Sequence, residues 1–263
     1  MAALPSCGAV MPLIETIAHD RIRELRLARP PVNALDPALC DELVLAIDTA
    51  VAAGADGLVL SGGPKVFSAG LDVPYLLSVQ DDRRVLRAAW DSFFNAAYAL
   101  AACPVPVIAA IGGHAPAGGC VLALCCDARI MAAGPYSIGL NETQVGLRMP
   151  AGVLRLMQRT VGQRQAERLV VPGLMLDAEQ ALAIGLVDEV VGVDEVVTRA
   201  VTRLQALAAL PRTPMLATRA LTRADLVEAM SPAALELDAM IDAWFDPDPQ
   251  AALHALVARL GKR

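Results

Sequence analysis

Val105-Pro106-Val107-Ile108-Ala109-Ala110-Ile111-Gly112-Gly113-His114-Ala115-Pro116-Ala117-Gly118-Gly119-Cys120 decides the fold class. A short apolar run ends in a glycine loop, and the loop opens into Cys120–Cys126, which is apolar without alternation. Periodicity alone leaves that last segment open between strand and helix; its place after Gly118-Gly119 favours a helix. Strand, glycine loop and helix in succession are the building unit of an α/β fold. Gly57–Leu60 repeats the pattern, a buried strand running into Phe67-Ser68-Ala69-Gly70-Leu71-Asp72.

Working outward, residues 13–27 read as two strands around Ala18-His19-Asp20. Asp36-Pro37 supplies an N-cap with proline at the first helical position. Leu39, Leu43, Ile47, Ala50 and Val51 carry the helical period, and Gly54 stops it. A long helix is predicted from about Asp81 to Ala102, with Val85, Ala89, Phe93 and Ala97 on one face. Tyr136–Ile138 returns to extended structure. Asp177, with Gln180 three residues on, caps a helix that Gly185 ends, and Leu186–Val191 is a late strand. Beyond Val196 the pattern is all helical, with starts marked by Pro214, Ser231-Pro232 and Asp248-Pro249. The expected organisation is an α/β core over residues 1–197 and a helical C-terminal region over 198–263.

The 263-residue chain is 56% hydrophobic but only 3% aromatic, so Ala, Leu and Val must fill its core. So few aromatic rings do not make a stacking platform for bases, and a net charge of −6 argues against a polyanionic partner. The six cysteines (Cys7, Cys40, Cys103, Cys120, Cys125 and Cys126) form no C-x-x-C, and His19, His114 and His254 are scattered, so no zinc spacing exists. A reduced, intracellular, cytoplasmic protein is expected. Before Arg21 there is no Lys or Arg, which fits neither a secretory leader nor a transit peptide. The uncharged stretch between Asp91 and Asp127 is broken by Pro104, Pro106, Gly112, Gly113 and Pro116, and it reads as buried core rather than a membrane span.

Each glycine loop, running from a strand into a helix start, leaves backbone N–H groups unpaired where negative charge is favoured. Either loop alone is also what any tight strand-to-helix turn needs. Other glycine-loop chemistries fall away. Gly113 and Gly118 have Walker-like spacing, but Gly119-Cys120 follows where Lys-Ser/Thr is required. Neither G-x-G-x-x-G nor G-x-S-x-G occurs, and Ser68 has no sequence partner that marks a nucleophile. Between the loops and the C-terminal half lies Ile138-Gly139-Leu140-Asn141-Glu142-Thr143-Gln144. Tyr136, Ile138, Leu140 and Val145 flank Glu142, and a carboxylate desolvated by such neighbours has the raised pKa that proton transfer needs. Asn141-Glu142-Thr143 also spells a glycosylation sequon, a false positive in an intracellular chain. Two backbone donors and one carboxylate are the minimum kit for moving a proton beside a thioester carbonyl.

As a set, Phe67–Asp72, Ala115–Cys120 and Ala181-Leu182-Ala183-Ile184-Gly185-Leu186-Val187-Asp188 resemble the crotonase (enoyl-CoA hydratase/isomerase) superfamily, from about Pro30 to Val191. Within it, Ile138–Gln144 and Pro116–Cys120 are most similar to the mitochondrial-type 3-enoyl-CoA to 2-enoyl-CoA isomerase group. The resemblance implies a spiral of ββα units and a helical C-terminal region that packs subunits into a homotrimer or hexamer. It also implies an acyl-CoA thioester substrate, with no separate cofactor, no metal, no nucleic acid and no membrane partner. Carried over by position, Leu71 and Gly118 would supply the oxyanion-hole N–H groups and Glu142 the catalytic carboxylate. Ser68, Ala69, Gly70, Leu71, Asp72, Gly118 and Leu140 would line the substrate site. One departure stands out: hydratases of the superfamily carry a second glutamate where this chain has Val121. Hydration must activate a water and deliver a proton, whereas a 1,3 double-bond shift needs one base. The expected activity is isomerisation of a 3-enoyl-CoA. Hydration, dienoyl shift and non-catalytic acyl-CoA binding remain the alternatives. Met230, Leu235, Leu237, Met240, Ile241, Trp244 and Phe245 give the C-terminal helices more apolar surface than a thin appendage hides alone, which points to an interface.

Overall fold

The computed structural model describes residues 11–260; Cys7, and the start of the segment on which the absence of a leader rests, lie outside the described residues. In chain order the elements are β1 Ile14–His19, β2 Ile22–Leu27, α1 Pro37–Ala52, β3 Gly57–Ser61, α2 Val73–Val79, α3 Arg83–Ala102, β4 Val107–Ile111, β5 Ala115–Pro116, α4 Gly118–Leu124, β6 Ala128–Ala132 and β7 Ser137–Gly139. After a 3-10 turn, Glu142–Val145, come α5 Ala151–Val161, α6 Gln163–Val170, β8 Leu176–Asp177, α7 Ala178–Ala183, β9 Glu189–Val191, a second 3-10 turn Val193–Glu195 and α8 Val196–Ala208. The chain finishes with α9 Arg212–Thr222, α10 Ala224–Ala229, α11 Pro232–Leu235, α12 Leu237–Trp244 and α13 Pro247–Leu260.

Two sheets organise the core. The larger has the order β1-β2-β3-β4-β6-β9, antiparallel between β1 and β2 and parallel from β2 onward; the smaller is β5-β7-β8. Parallel strands buried on both faces read as continuous apolar runs, as β3 and β4 do. One face packs on α1, α3 and α4. The other is covered by α8, whose Val196, Ala200, Val201 and Leu204 join Val59, Ile108 and Ile130 in a separate cluster. The boundary expected near residue 197 therefore falls inside a helix that packs on the sheet.

The caps behave as their chemistry requires. Asp36 accepts from the Leu39 N–H, and Asp177 with Gln180 forms a reciprocal capping box. Several expectations need correction. Val85 is exposed, whereas Ala89, Phe93 and Ala97 are buried as expected, with Leu86, Trp90 and Phe94 beside them. The helix marked by Pro214 starts at Arg212; α2 opens on an Asp72 cap followed by Pro74, a signal the sequence reading passed over, whereas α5 and α6 start without a side-chain cap. The C-terminal helices do not present the apolar face expected for assembly. Met230, Leu235, Leu237, Met240, Ile241 and Trp244 are buried inside their own chain, and of the seven only Phe245 is exposed. Folding back against α3 and α5 hides them.

Candidate active site

The two glycine loops meet. Phe67 N–H donates to the His114 carbonyl and His114 N–H to that of Lys65, which staples the segments side by side. A Cβ on Gly118 would lie 3.3 Å from Gly70 Cα, and one on Gly119 only 2.6 Å from the Ser68 carbonyl oxygen. Space requires glycine at 119, and at 118 it leaves only a tight fit. Gly70 also has φ +84°, where an L side chain is strained. The Ser68 hydroxyl is fully buried, donating to the Asn33 carbonyl and accepting from Gly70 N–H.

These contacts leave two donors free. Leu35 N–H bonds the Gly70 carbonyl and Asp72 N–H the Leu35 carbonyl, so the Leu71 N–H between them faces the opposite way. Gly118 opens α4 and has no earlier turn to donate to. Among the described residues neither N–H meets a protein acceptor. Ala117 precedes Gly118 at φ 45°, ψ −119°, an unusual conformation for an alanine, and its N–H is held by the Gly139 carbonyl.

Gly139 ends β7, and the 3-10 turn that follows carries Glu142. Leu147 N–H donates to the Glu142 carbonyl and Gln144 N–H to that of Asn141, fixing the turn. The Glu142 side chain is 9% exposed, and its Oε2 has no hydrogen-bond partner among the described residues. Burial pushes its pKa up to about 7, only partly offset by its own backbone N–H.

Leu71, Gly118 and Glu142 all line one cavity of about 590 Å³. Ala69 and Asp72 line it too, whereas Ser68, Gly70 and Leu140 stand behind its wall, where they hold the loops and the turn in place. Asp72 is the other carboxylate of the lining, but its oxygens are committed. Oδ1 caps α2 by accepting from Tyr75 N–H at 3.0 Å, and Oδ2 takes Arg29 Nη2 at 2.7 Å. Arg29 reaches Asp36 Oδ2 at 3.1 Å as well, so one guanidinium ties the starts of α1 and α2 to the first loop. Val121, on α4, presents only methyl groups. The sequence reading missed Asn141, whose buried Oδ1 also has no partner among the described residues, and the apolar walls from Trp90, Phe93, Phe94, Met240 and Leu256. Periodicity marks such side chains as core, and nothing local separates a cavity wall from packed interior. Among the described residues no three His, Cys, Asp or Glu side chains gather to hold a metal ion, and no helix is long and apolar enough to cross a membrane.

A sequence model described as enoyl-CoA hydratase/isomerase matches residues 18–248. The chain belongs to the enoyl-CoA hydratase/isomerase family. Among family members of known sequence, it is 33% identical to the human mitochondrial enoyl-CoA delta isomerase 1 over 219 residues, covering 82% of this chain and 72% of the relative. It is also 36% identical to a probable enoyl-CoA hydratase of Mycobacterium avium over 204 residues, covering 72% and 75%. The fold matches the crystal structure of human mitochondrial delta3-delta2-enoyl-CoA isomerase with a TM-score of 0.88 at 29% identity, over 95% of this chain and 98% of that one. Isomerase and hydratase names thus both occur among these relatives, and the chemistry of the site must separate them.

Proposed function

We propose that the protein isomerises 3-enoyl-CoA to trans-2-enoyl-CoA with Glu142 as its only proton carrier. The observation that carries this reading is the inventory of carboxylates: two line the cavity, and Asp72 is held by Arg29 and the α2 cap. With Val121 where a hydratase would carry its second glutamate, no other carboxylate among the described residues of the wall is free to give or take a proton from a substrate carbon or water.

In this reading the thioester oxygen lies between the N–H groups of Leu71 and Gly118, which stabilise the dienolate, by about 3 kcal/mol for each donor. Glu142 lifts a proton from C2 and returns it to C4 on the same face. A pKa near 7 suits a group that must be base in one step and acid in the next. Arg148, at the cavity rim, brings positive charge toward the CoA phosphates. The only cofactor-like group is the coenzyme A of the substrate. The resemblance supports a homotrimer or hexamer, and the unpaired cysteines support a reducing compartment such as the cytoplasm. Separate incubation with 3-enoyl-CoA and 2-enoyl-CoA tests the reaction. Isomerisation should exceed hydration by a wide margin, and comparable rates on one preparation would overturn the assignment.

A further inference from the structure

The Leu71 donor owes its direction to a second segment, residues 29–36, which runs along loop 67–72. Ser68 Oγ donates to the Asn33 carbonyl at 2.8 Å, Asn33 Nδ2–H to the Phe67 carbonyl at 3.0 Å, and Ala69 N–H to the Val32 carbonyl at 2.9 Å. Leu35 then takes the backbone groups on either side of Leu71, the Gly70 carbonyl and the Asp72 N–H. Beyond Leu71 that Asp72 bond is the last backbone tie. Arg29 adds the one side-chain tie there between the two segments among the described residues.

The chain is folded to place Arg29 for this. Asn33, at φ 50°, turns the segment back, so that its Oδ1 accepts from Arg29 N–H at 2.9 Å and its N–H donates to the Arg29 carbonyl at 2.8 Å. The guanidinium then spans both segments. Nη1 donates to the Ala34 carbonyl at 2.9 Å, Nη2 to Asp72 Oδ2 at 2.7 Å, and Nε lies 3.1 Å from Asp36 Oδ2. A planar fork holds such a set of acceptors at fixed angles, which a point charge on a flexible stem cannot do. The Arg29 and Asp72 side chains are 27% and 14% exposed, so water and salt screen this pair less than a surface one.

We propose that Arg29 is a positioning residue for the reaction, acting through Asp72 to aim the Leu71 N–H at the thioester oxygen. The proposal rests on the oxyanion role given above to Leu71 and Gly118. Asp72 follows Leu71 directly, so anchoring its carboxylate limits backbone rotation at the donor, and a hydrogen bond weakens steeply as it bends. The guanidinium also pairs a carboxylate that otherwise stands in the cavity wall as negative charge beside a developing oxyanion. The earlier ties, from Phe67 to Gly70, do not involve the Arg29 side chain, so its loss should free the donor without releasing the loop.

Infrared difference spectra of bound octanoyl-CoA, labelled with a heavy isotope at its carbonyl carbon, read the oxyanion hole directly, because donors aimed at the oxygen lower the carbonyl stretching frequency. In the unaltered protein the bound thioester should absorb below its frequency in water. Arg29→Ala should move the band back up and lower kcat about tenfold or more, with octanoyl-CoA affinity kept within about threefold. Asp72→Asn can still cap α2 but loses the ion pair. It should reproduce the loss, and the double variant should be no worse than either single one. Should Arg29→Ala not fold, Arg29→Lys makes the same comparison, since it keeps the charge and loses the fork. A band and a kcat unmoved by Arg29→Ala, even with a lowered Tm, would overturn the positioning role, and so would losses that add in the double variant. A band that responds to Arg29 in a protein that turns over no 3-enoyl-CoA would leave the role standing and remove the isomerase reading instead.

Discussion

Glu142 combines burial, an unpartnered oxygen and a pKa of about 7, and each has a measurable consequence. Glu142→Gln keeps the shape but cannot accept a proton at neutral pH. If one carboxylate makes both transfers, kcat should fall by at least about 10²–10⁴, while calorimetry finds acyl-CoA affinity little changed. An active variant that folds and binds would place the base elsewhere. The base must be ionised in the free enzyme, so kcat/KM should climb with pH through about 7 and level off above it. The same shift has a stability consequence of opposite sign. A carboxyl whose folded pKa exceeds its ordinary value of 4.5 stabilises the native state below pH 4.5, and that contribution, about 3 kcal/mol, is lost as pH rises through 7. Thermal unfolding should therefore find Glu142→Gln more stable than the native chain at pH 8, with the advantage shrinking toward pH 4.5. Ala117 offers a second case of strain beside the chemistry. Its φ of 45° suits glycine, so Ala117→Gly should raise Tm by a few degrees.

At the scale of elements, the site depends on two loops touching and on what α4 presents. Gly119→Ala would put a methyl group 2.6 Å from the Ser68 carbonyl, backbone that cannot swing aside as a side chain can. The loops must separate, which moves the Gly118 donor relative to Leu71. We expect a loss of about 1–3 kcal/mol in stability and a kcat lowered tenfold or more, read by denaturant unfolding and steady-state kinetics. Val121→Glu, on the same helix, adds the carboxylate that the hydratases carry, and product analysis with 2-enoyl-CoA should then detect hydration. Both loops were legible in the sequence because glycine, proline and apolar runs punctuate them, and the Asp36 and Asp177 caps were legible for the same local reason. The helices α5 and α6, and the N-terminal edge of the face that α3 buries, were not. Val85 and Leu86 are equally apolar neighbours, and only the position of α1 and α2 decides which one is covered.

For the whole molecule, the C-terminal helices close the cavity of their own chain, since Met240 and Leu256 line it and Gly146 lies against Pro249 and Ala252 of α13. Apolar surface left for assembly is found elsewhere, at Val171, Leu174 and Leu182 on one edge and at Leu210 and Leu221 around α9. Light scattering should return three or six times the 27.5 kDa chain mass, and charged substitutions at Val171 and Leu221 should lower it more than one at Phe245. A monomer at micromolar concentration would count against the trimer. The sequence by itself determined the α/β class, the two glycine loops, the carboxylate between flanking apolar residues and the valine that takes the place of a second one. All of these are short-range signals, carried by backbone freedom, capping and side-chain chemistry within a few residues. Only the tertiary structure decided that residues as far apart as Leu71, Gly118, Glu142 and Met240 share one cavity, and that Asp72 is spent on Arg29. It also decided that the C-terminal helices hide their apolar faces in their own chain. Those outcomes depend on which faces are brought together when distant segments pack, and no local pattern encodes a neighbour that lies a hundred residues away.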